Sequence, residues 1–227
     1  MKWILNDDVS YCQLGGRLFF LDIKEDRYFQ ISETLERHFI QILNSSCVPE
    51  EAVHKLCRQR IITHPVGARP AEAPKKIDPP TRSILEMPAA TIRISPQMAL
   101  RGFIAVMAAK WQLKTCGLKS IFGALLEHRR VHLTQNPVES DGPAIARQLM
   151  TAAAIFNHVR PYIPIRRRCL IDSISMCRFL AELGLPAHIV LGVAGDPFSA
   201  HAWVQHDRVV LNDDVENVRT YAPIRVI

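Results

Sequence analysis

Three side chains in the C-terminal half of the sequence have the types and the order that nucleophilic catalysis requires: Cys169, His201 and Asp213. Cys169 is expected to begin a helix, where unpaired backbone N–H groups lower the pKa of a thiol and favour the reactive thiolate. The same N–H groups can stabilise the oxyanion that forms when a thiolate attacks a carbonyl. A nucleophilic cysteine needs a base, and the base needs a partner that orients it. The pattern therefore predicts a Cys–His–Asp hydrolase site.

The register of a predicted β-hairpin decides which side chain faces His201. Period-two patterns predict strands over 200–205 and 208–212. A longer turn that includes residue 208 places Asp213 directly opposite His201, whereas a two-residue turn places Asn212 there. Either side chain can orient an imidazole, since Cys–His–Asn and Cys–His–Asp sites both exist. Asp214 would lie opposite only in a still longer turn. The partners stay open on the pattern alone, and Asp213 is the expected one.

Each of the three residues also has an ordinary structural explanation. A free cysteine packs like a small hydrophobic side chain, a histidine can be satisfied in the core, and an aspartate near a strand end commonly closes a turn. The hydrolase hypothesis therefore depends on the three occurring together in this order. Cys177 would lie in the middle of the same helix and is expected to pack in the core. Trp203 shares strand parity with His201 and is expected to fill the core rather than to line the site.

The composition argues against several classes of protein. The net charge is +6, but the Lys and Arg residues are scattered, and the cluster Arg166–Arg168 is too short for a nucleic-acid-binding surface. The six cysteines show neither a CxxC pair nor zinc-like spacing with histidine, so no metal site is expected. The sequence has no Walker-type glycine-rich loop, and we predict no cofactor.

We expect no membrane-spanning segment and no secretory signal. Met1–Asp8 lacks the apolar region of a signal peptide. Met98–Trp111 is apolar, but Arg101 and Lys110 interrupt it. The prediction is a cytoplasmic protein whose thiols stay reduced.

The distribution of apolar residues predicts an α+β fold with two domains. Residues 1–63 form the first domain and 95–227 the second, with a linker over 64–94. Its first part, His64–Pro80, is rich in proline, alanine and charge, as is typical of a linker. A linker of this kind would raise the local concentration of a peptide bound to one domain at the other. The second domain is expected to be a helical half followed by an antiparallel sheet. Its predicted helices cover about 95–113, 118–127, 141–158 and 169–184.

The first domain has strand signals over 9–14, 17–22 and 27–31. Ser32 then has the pattern of a helix N-cap, and Pro49 opens a second helix. This predicts a small module of three strands followed by helices.

The second domain resembles the lasso-peptide B proteins, which are leader peptidases of the transglutaminase-like superfamily. The resemblance covers roughly 95–227 and implies a papain-like cysteine protease fold. In that family the cysteine is the nucleophile, the histidine the base and the aspartate its orienting partner, roles that fall on Cys169, His201 and Asp213. The residues that carry the resemblance form five runs, which are Arg168–Ser173, Gly184–Ala187, Leu191–Val193, Phe198–Val204 and Leu211–Asp213.

The resemblance implies a function in lasso peptide biosynthesis. The substrate would be the leader of a ribosomal precursor peptide, and the freed core would pass to an asparagine-synthetase-like lasso cyclase. One feature departs from papain-like sites, which often place a glutamine before the cysteine as an oxyanion donor. Residues 161–165 contain no glutamine, so the second oxyanion donor stays unassigned.

The first domain resembles the PqqD-like, winged-helix-like precursor-recognition domains. Such domains bind a leader peptide as an extra strand at a sheet edge. By this analogy the leader would lie between the third strand and a helix containing residues 51–62. The expected leader-binding residues are Arg27, Tyr28, Phe29 and Ile31, whose alternative role is core packing.

Two alternative functions use the same residues. An acyl transferase or transglutaminase-like enzyme would pass the thioester to an amine rather than to water. A peptide-binding chaperone would bind the leader without cutting it.

Overall fold

In the part of the chain that the structure describes, a five-stranded sheet packs with four long helices, and a smaller module with its own sheets lies beside them. The computed structural model describes residues 3–44, 46–64, 77–87, 94–135 and 142–227. Helices and strands are both well represented, which confirms the predicted α+β class. Two parts of the predicted linker, 65–76 and 88–93, lie outside the described residues, as does the predicted helix start at Asp141.

The first module contains a three-stranded antiparallel sheet in the order β2-β3-β4, and a two-stranded pair of β1 with β5. Two of the predicted strands have the predicted ends, whereas the third stops at Phe29. The elements are β1 (Ile4–Leu5), β2 (Val9–Leu14), β3 (Arg17–Asp22), β4 (Arg27–Phe29), α1 (Glu33–Leu43), α2 (Glu50–Arg58) and β5 (Ile62–Thr63).

Local sequence explains the ends of these elements. Gly15 and Gly16 both have positive φ, which closes the tight turn between β2 and β3. Ser32 caps α1, because its hydroxyl accepts a hydrogen bond from the backbone N–H of Leu35 at 3.4 Å. The predicted helix over 51–62 was too long, since Arg60 has a φ of 61° and the chain then pairs with β1.

The second module contains the larger sheet, in the order β10-β7-β8-β9-β6. Its strand pairs are antiparallel except β6 with β9, which is parallel. The elements are β6 (Arg82–Ser83), α3 (Pro96–Thr115), α4 (Leu118–Gln135), α5 (Gly142–Val159), α6 (Cys169–Glu182), β7 (His188–Ala194), β8 (Ser199–His206), β9 (Val209–Val210), α7 (Val215–Arg219) and β10 (Ala222–Val226).

Part of the predicted linker is integral to the larger sheet. Strand β6 pairs with β9, and the side-chain hydroxyl of Ser83 donates to the backbone carbonyl of Asp213 at 2.5 Å. The guanidinium of Arg219 donates to the carbonyl of Pro80 at 2.8 Å, and the amide of Gln205 donates to that of Asp78 at 2.7 Å. Strand β6 therefore belongs to the sheet and the segment 77–87 is held against it, although these residues were predicted to lie within a linker.

The small module is packed directly against the large one. Leu21 and Ile23 of the small module are buried in the core of the large one. Phe19 stacks on Phe198, with the ring centroids 5.9 Å apart. Lys119 forms an ion pair with the buried Asp8 at 2.6 Å. These contacts fix the orientation of the small sheet relative to the candidate site.

The helices of the structure differ from membrane-spanning segments in length or in apolar character. Among residues 3–44, 46–64, 77–87, 94–135 and 142–227, none has both the length and the apolar character needed to cross a bilayer.

Candidate active site

Cys169 is the first residue of α6, as the sequence predicts. Its side chain is half-buried, and the backbone N–H groups of Leu170 and Ala202 hydrogen-bond to the sulfur. A hydrogen bond with the side chain of His201 is the largest influence on the thiol, and together with these N–H groups it outweighs burial and lowers the pKa of Cys169. The sulfur therefore has the environment of a reactive thiolate.

A buried ion pair fixes the first turn of α6. Arg160 is only 2% exposed, and its Nε lies 2.7 Å from Oδ1 of Asp172. The same guanidinium donates to the carbonyl of Ile165 at 3.0 Å, and Arg167 approaches the other carboxylate oxygen at 3.5 Å. These contacts connect the chain before Cys169 to the helix that Cys169 begins.

A second hydrogen-bond network ties α6 to the neighbouring strand β8. The hydroxyl of Ser173 donates to the carbonyl of Ala202 at 3.0 Å and accepts from the amide of Asn212 at 3.0 Å. The carbonyl of the Asn212 side chain accepts from the backbone N–H of Val204 at 2.7 Å. Asn212, the alternative partner for His201, thus joins the helix to the sheet instead.

His201 connects the other two predicted residues. Its Nε2 hydrogen-bonds to Oδ2 of Asp213, which leaves Nδ1 as the nitrogen for the thiol of Cys169. Burial opposes the charge on the ring, but the hydrogen bonds to Asp213 and Cys169 outweigh it and raise the pKa of His201 to about 9. The structure therefore brings Cys169, His201 and Asp213 into one hydrogen-bonded succession.

Asp213 is oriented by several donors. The side-chain amide of Asn217 lies 3.0 Å and 3.1 Å from its two carboxylate oxygens, and the backbone N–H of Asp214 donates at 2.8 Å. Burial favours the neutral carboxyl, but hydrogen bonds from His201, Asn217 and Asp214 hold the pKa of Asp213 below its ordinary value. The carboxylate is therefore charged and fixed in direction at neutral pH.

The predicted register of the hairpin was wrong. The observed pairs are Gln205 with Val210 and His206 with Val209, so the turn has two residues and begins at Asp207, which has a φ of 48°. Continued pairing would put residue 214 opposite His201, but β9 ends at Val210. Asp213 reaches the imidazole from the irregular segment after β9, rather than from a strand.

Two aromatic rings lie near the imidazole of His201. Tyr221 stacks on His201 with the centroids 4.9 Å apart, and Trp203 lies at 6.2 Å. Gly192 pairs with His201 across the sheet, and a Cβ at 192 would lie only 2.7 Å from Trp203 and 2.9 Å from Tyr221. Glycine at 192 thus leaves room for these rings. Trp203 both fills the core and borders the site.

The comparisons with known proteins bear on this arrangement. The profile of the transglutaminase-like superfamily matches residues 112–226, a span that contains all three residues of the site. The chain belongs to the transglutaminase-like superfamily. No solved structure gave a significant match to it.

A characterised relative of this transglutaminase-like protein is the Microcin J25-processing protein McjB of Escherichia coli. The two are 26% identical over 110 residues, which are 48% of this chain and 49% of that protein. The chain therefore spans about half the length of the curated relative in this match. Together the two matches confirm the resemblance to lasso-peptide B proteins. The superfamily match does not reach residues 1–63, whose PqqD-like character stays a prediction.

The four predicted leader-binding residues lie in different surroundings. Arg27 is exposed, with its guanidinium 4.9 Å from the ring centroid of Phe29. Tyr28 is half-buried, with its ring 5.7 Å from that of Phe198. Ile31 is 6% exposed and packs in the core of the small module, so its side chain presents no binding surface.

Tyr28 connects the small module to the site of the transglutaminase-like domain. Burial raises the pKa of Tyr28 to about 12, with further contributions from the charges of Asp26 and Cys169. The phenol is therefore within electrostatic reach of the Cys169 thiol. Sequence reasoning placed Tyr28 near the leader, but not near Cys169.

Several residues that shape the site were missed in the sequence. Asn217 and Tyr221 lie on and after α7, an element without a clear apolar period, and Ser83 lies in the predicted linker. If α7 had been predicted, its helical turn would have placed the side-chain amide of Asn217 close to Asp213. Within the described ranges, no group of three or more His, Cys, Asp and Glu side chains is arranged to hold a metal ion.

Proposed function

We propose that this protein is a leader peptidase of lasso peptide biosynthesis, which cuts the leader–core bond of a ribosomal precursor peptide. The observation that carries the proposal is the hydrogen-bonded succession from Cys169 through His201 to Asp213 at the start of a helix. The similarity to a protein named for processing microcin J25 supports the substrate class.

The proposed reaction begins with a thiolate–imidazolium pair. The thiolate of Cys169 forms a bond to the carbonyl carbon at the junction, and the oxyanion is stabilised by free N–H groups of the first turn of α6. His201 then gives its proton to the nitrogen of the departing core peptide as the C–N bond breaks. Water attacks the resulting thioester and gives one proton to His201. The C–S bond then breaks to restore the Cys169 thiolate, and the leader leaves as a carboxylic acid that ionises in water.

The electrostatics of the site support this protonation state. The pKa of Cys169 is lowered, whereas the pKa of His201 is raised to about 9. Because the two groups hydrogen-bond to each other, the thiolate and the imidazolium stabilise one another near neutral pH. Asp213 holds the ring in the direction that both proton transfers need.

The proposed leader site is the outer edge of β4. Within the described residues this strand pairs only with β3, so its other edge is available for an added strand. Arg27 is exposed on this strand, and Tyr28 on the same strand is within electrostatic reach of Cys169. Contacts such as Phe19 on Phe198 favour direct delivery of the leader to Cys169 over delivery by a flexible tether.

The division of the chain is proposed accordingly. Residues 1–63 form the PqqD-like recognition domain and 95–227 the peptidase domain, with a connection over 64–94 whose part 77–87 adds a strand to the peptidase sheet.

All six cysteines lie in the described part of the chain and are free thiols, which fits a cytoplasmic location. The freed core peptide would pass to an asparagine-synthetase-like lasso cyclase.

A product assay tests the proposal. The full chain is incubated with synthetic lasso precursor peptides that contain both leader and core, and products are identified by mass spectrometry. We expect a leader with a free carboxylate and an intact core. A leader conjugated to an added amine would favour acyl transfer, and binding without any cleavage would favour the chaperone.

A further inference from the structure

Helix α3 presents its large apolar side chains to solvent and its small ones to the core. The buried positions are Gly102, Ala105, Val106 and Ala109. Five large apolar residues on the same helix are between 40% and 65% exposed, and these are Leu100, Phe103, Ile104, Met107 and Trp111.

The five exposed residues follow the period of a helix and form one continuous stripe, which we call the α3 stripe. The small residues on the opposite face let α3 pack closely, since a Cβ at Gly102 would already lie 3.7 Å from Val159. Core packing therefore does not need the large side chains, and leaving them in water is unfavourable. A contiguous apolar patch of this kind marks a surface that binds something.

Charge indicates which kind of surface would cover the α3 stripe. The sequence of α3 contains no acidic residue, and Lys110 and Lys114 are exposed on either side of Trp111. Lysine is depleted in protein–protein interfaces. Exposed lysines next to Trp, Phe and Leu are instead typical of helices that lie along the surface of a membrane, at the boundary between anionic headgroups and acyl chains.

We propose that the α3 stripe docks on the surface of a bilayer that contains anionic phospholipids. The apolar side chains would enter the boundary between headgroups and acyl chains, and Lys110 and Lys114 would contact lipid phosphates. The helix would lie parallel to the surface, because its other face is packed against α5 and α6. This binding is independent of the peptidase activity proposed above.

Vesicle binding by the full chain tests the proposal. Vesicles of phosphatidylcholine are compared with vesicles that also contain phosphatidylglycerol, by co-sedimentation and by tryptophan emission. Trp111 is 65% exposed whereas Trp203 is buried, so insertion should shift the emission to shorter wavelength. We expect binding only to the anionic vesicles, and weaker binding in high salt.

Matched variants locate the contact. Phe103→Gln with Trp111→Gln should reduce the partition coefficient at least about tenfold, and Lys110→Gln and Lys114→Gln should each reduce it about fivefold. Ile40→Gln, at an exposed apolar position on α1, should bind like the wild type. Circular dichroism and thermal unfolding check that each variant is folded.

Three results would overturn the proposal. The first is an absence of wild-type binding to the anionic vesicles. The second is equal binding by the wild type and the Phe103/Trp111 variant. The third is a concentration-dependent dimer in solution that this variant abolishes, because the α3 stripe would then bind a second copy of the chain.

Discussion

Helix α6 carries two cysteines eight residues apart, one at its first turn and one in its middle, and their surroundings differ in opposite directions. At the first turn, Cys169 is half-buried, accepts hydrogen bonds from backbone N–H groups and His201, and has a lowered pKa. Two turns later, Cys177 is enclosed in the core, and burial raises its pKa to about 12. The same residue type on one helix thus has a lowered pKa at the first turn and a raised pKa in the buried middle of the helix.

The difference shows that the helix alone does not make a cysteine reactive. The helix terminus supplies N–H groups, but the buried Arg160–Asp172 pair and the Ser173–Asn212 network decide where that terminus lies relative to His201. Cys177 has a regular helix around it and no such arrangement. Substitutions that alter the surroundings of Cys169 should therefore change cleavage, whereas substitutions at Cys177 should not.

The largest expected effect separates the two cysteines directly. Cys169→Ala should reduce precursor cleavage by about a thousandfold or more, because it removes the nucleophile. Cys177→Ala should keep the rate of cleavage and lower the free energy of unfolding by no more than about 2 kcal/mol. Cleavage rates come from chromatography of the leader product, and stability from urea unfolding. Loss of cleavage only in Cys177→Ala would reverse the assignment.

The next effect concerns the orientation of the base. Asp213→Ala should lower the cleavage rate about a hundredfold or more, since the imidazole loses the partner that fixes its direction. Asn217→Ala should have a smaller effect in the same direction, because it removes only a hydrogen-bond donor to Asp213. Leader binding, measured by fluorescence anisotropy, should be unchanged in both variants. A fully active Asp213→Ala variant would contradict this role.

The third effect tests what positions the first turn of α6. Asp172→Ala leaves the guanidinium of Arg160 buried without its carboxylate, which should lower the free energy of unfolding by about 3–5 kcal/mol. Cleavage should fall as well, even under conditions where the variant is folded. Glu182→Ala at the far end of α6 is the matched control, since its contacts to His128 and Arg178 are at least 3.8 Å long. Equal losses of stability in the two variants would show that the Arg160–Asp172 pair stabilises α6 no more than the contacts of Glu182 do.

The smallest effect is a change in the pH dependence of thiol alkylation. The hydrogen bond from His201 lowers the pKa of Cys169, so His201→Ala should raise that pKa and reduce the thiolate fraction at neutral pH. Alkylation of Cys169 by iodoacetamide should therefore become several-fold slower at pH 7, with the difference vanishing at high pH. Peptide mapping should show Cys177 unmodified throughout. An unchanged pH profile would mean that His201 does not act on the thiol.

Sequence patterns predicted the parts of the site that depend on local structure. Cys169 was placed by the end of a proline-containing loop and by the glycine at 184, which has the positive φ expected of a helix C-terminus. The strand with His201 followed from its period. Cys177 was correctly expected in the core, because a mid-helix position among apolar residues predicts burial.

Sequence patterns did not predict the features that depend on contacts between distant segments. The turn of the hairpin was predicted to begin at residue 206, but it begins at Asp207. The residue types over 206–208 suit turns of either length and either position, so the sequence does not decide the register. Asp213 still reaches His201, since Ser83 and Asn217 hold the segment after β9 in place. Ser83 was assigned to a linker because a two-residue parallel strand has no periodic signal. The proximity of Tyr28 to Cys169 follows from packing between modules, which local patterns do not contain.

The central claim is a covalent bond between the leader and the sulfur of Cys169. The measurement that tests it most directly is an acid quench of the full chain during precursor turnover, followed by peptide mapping by mass spectrometry. The account predicts a thioester-linked leader on the peptide that contains Cys169, with no such adduct in Cys169→Ala. Cleavage that continues in that variant, or an adduct on any other residue, would contradict it.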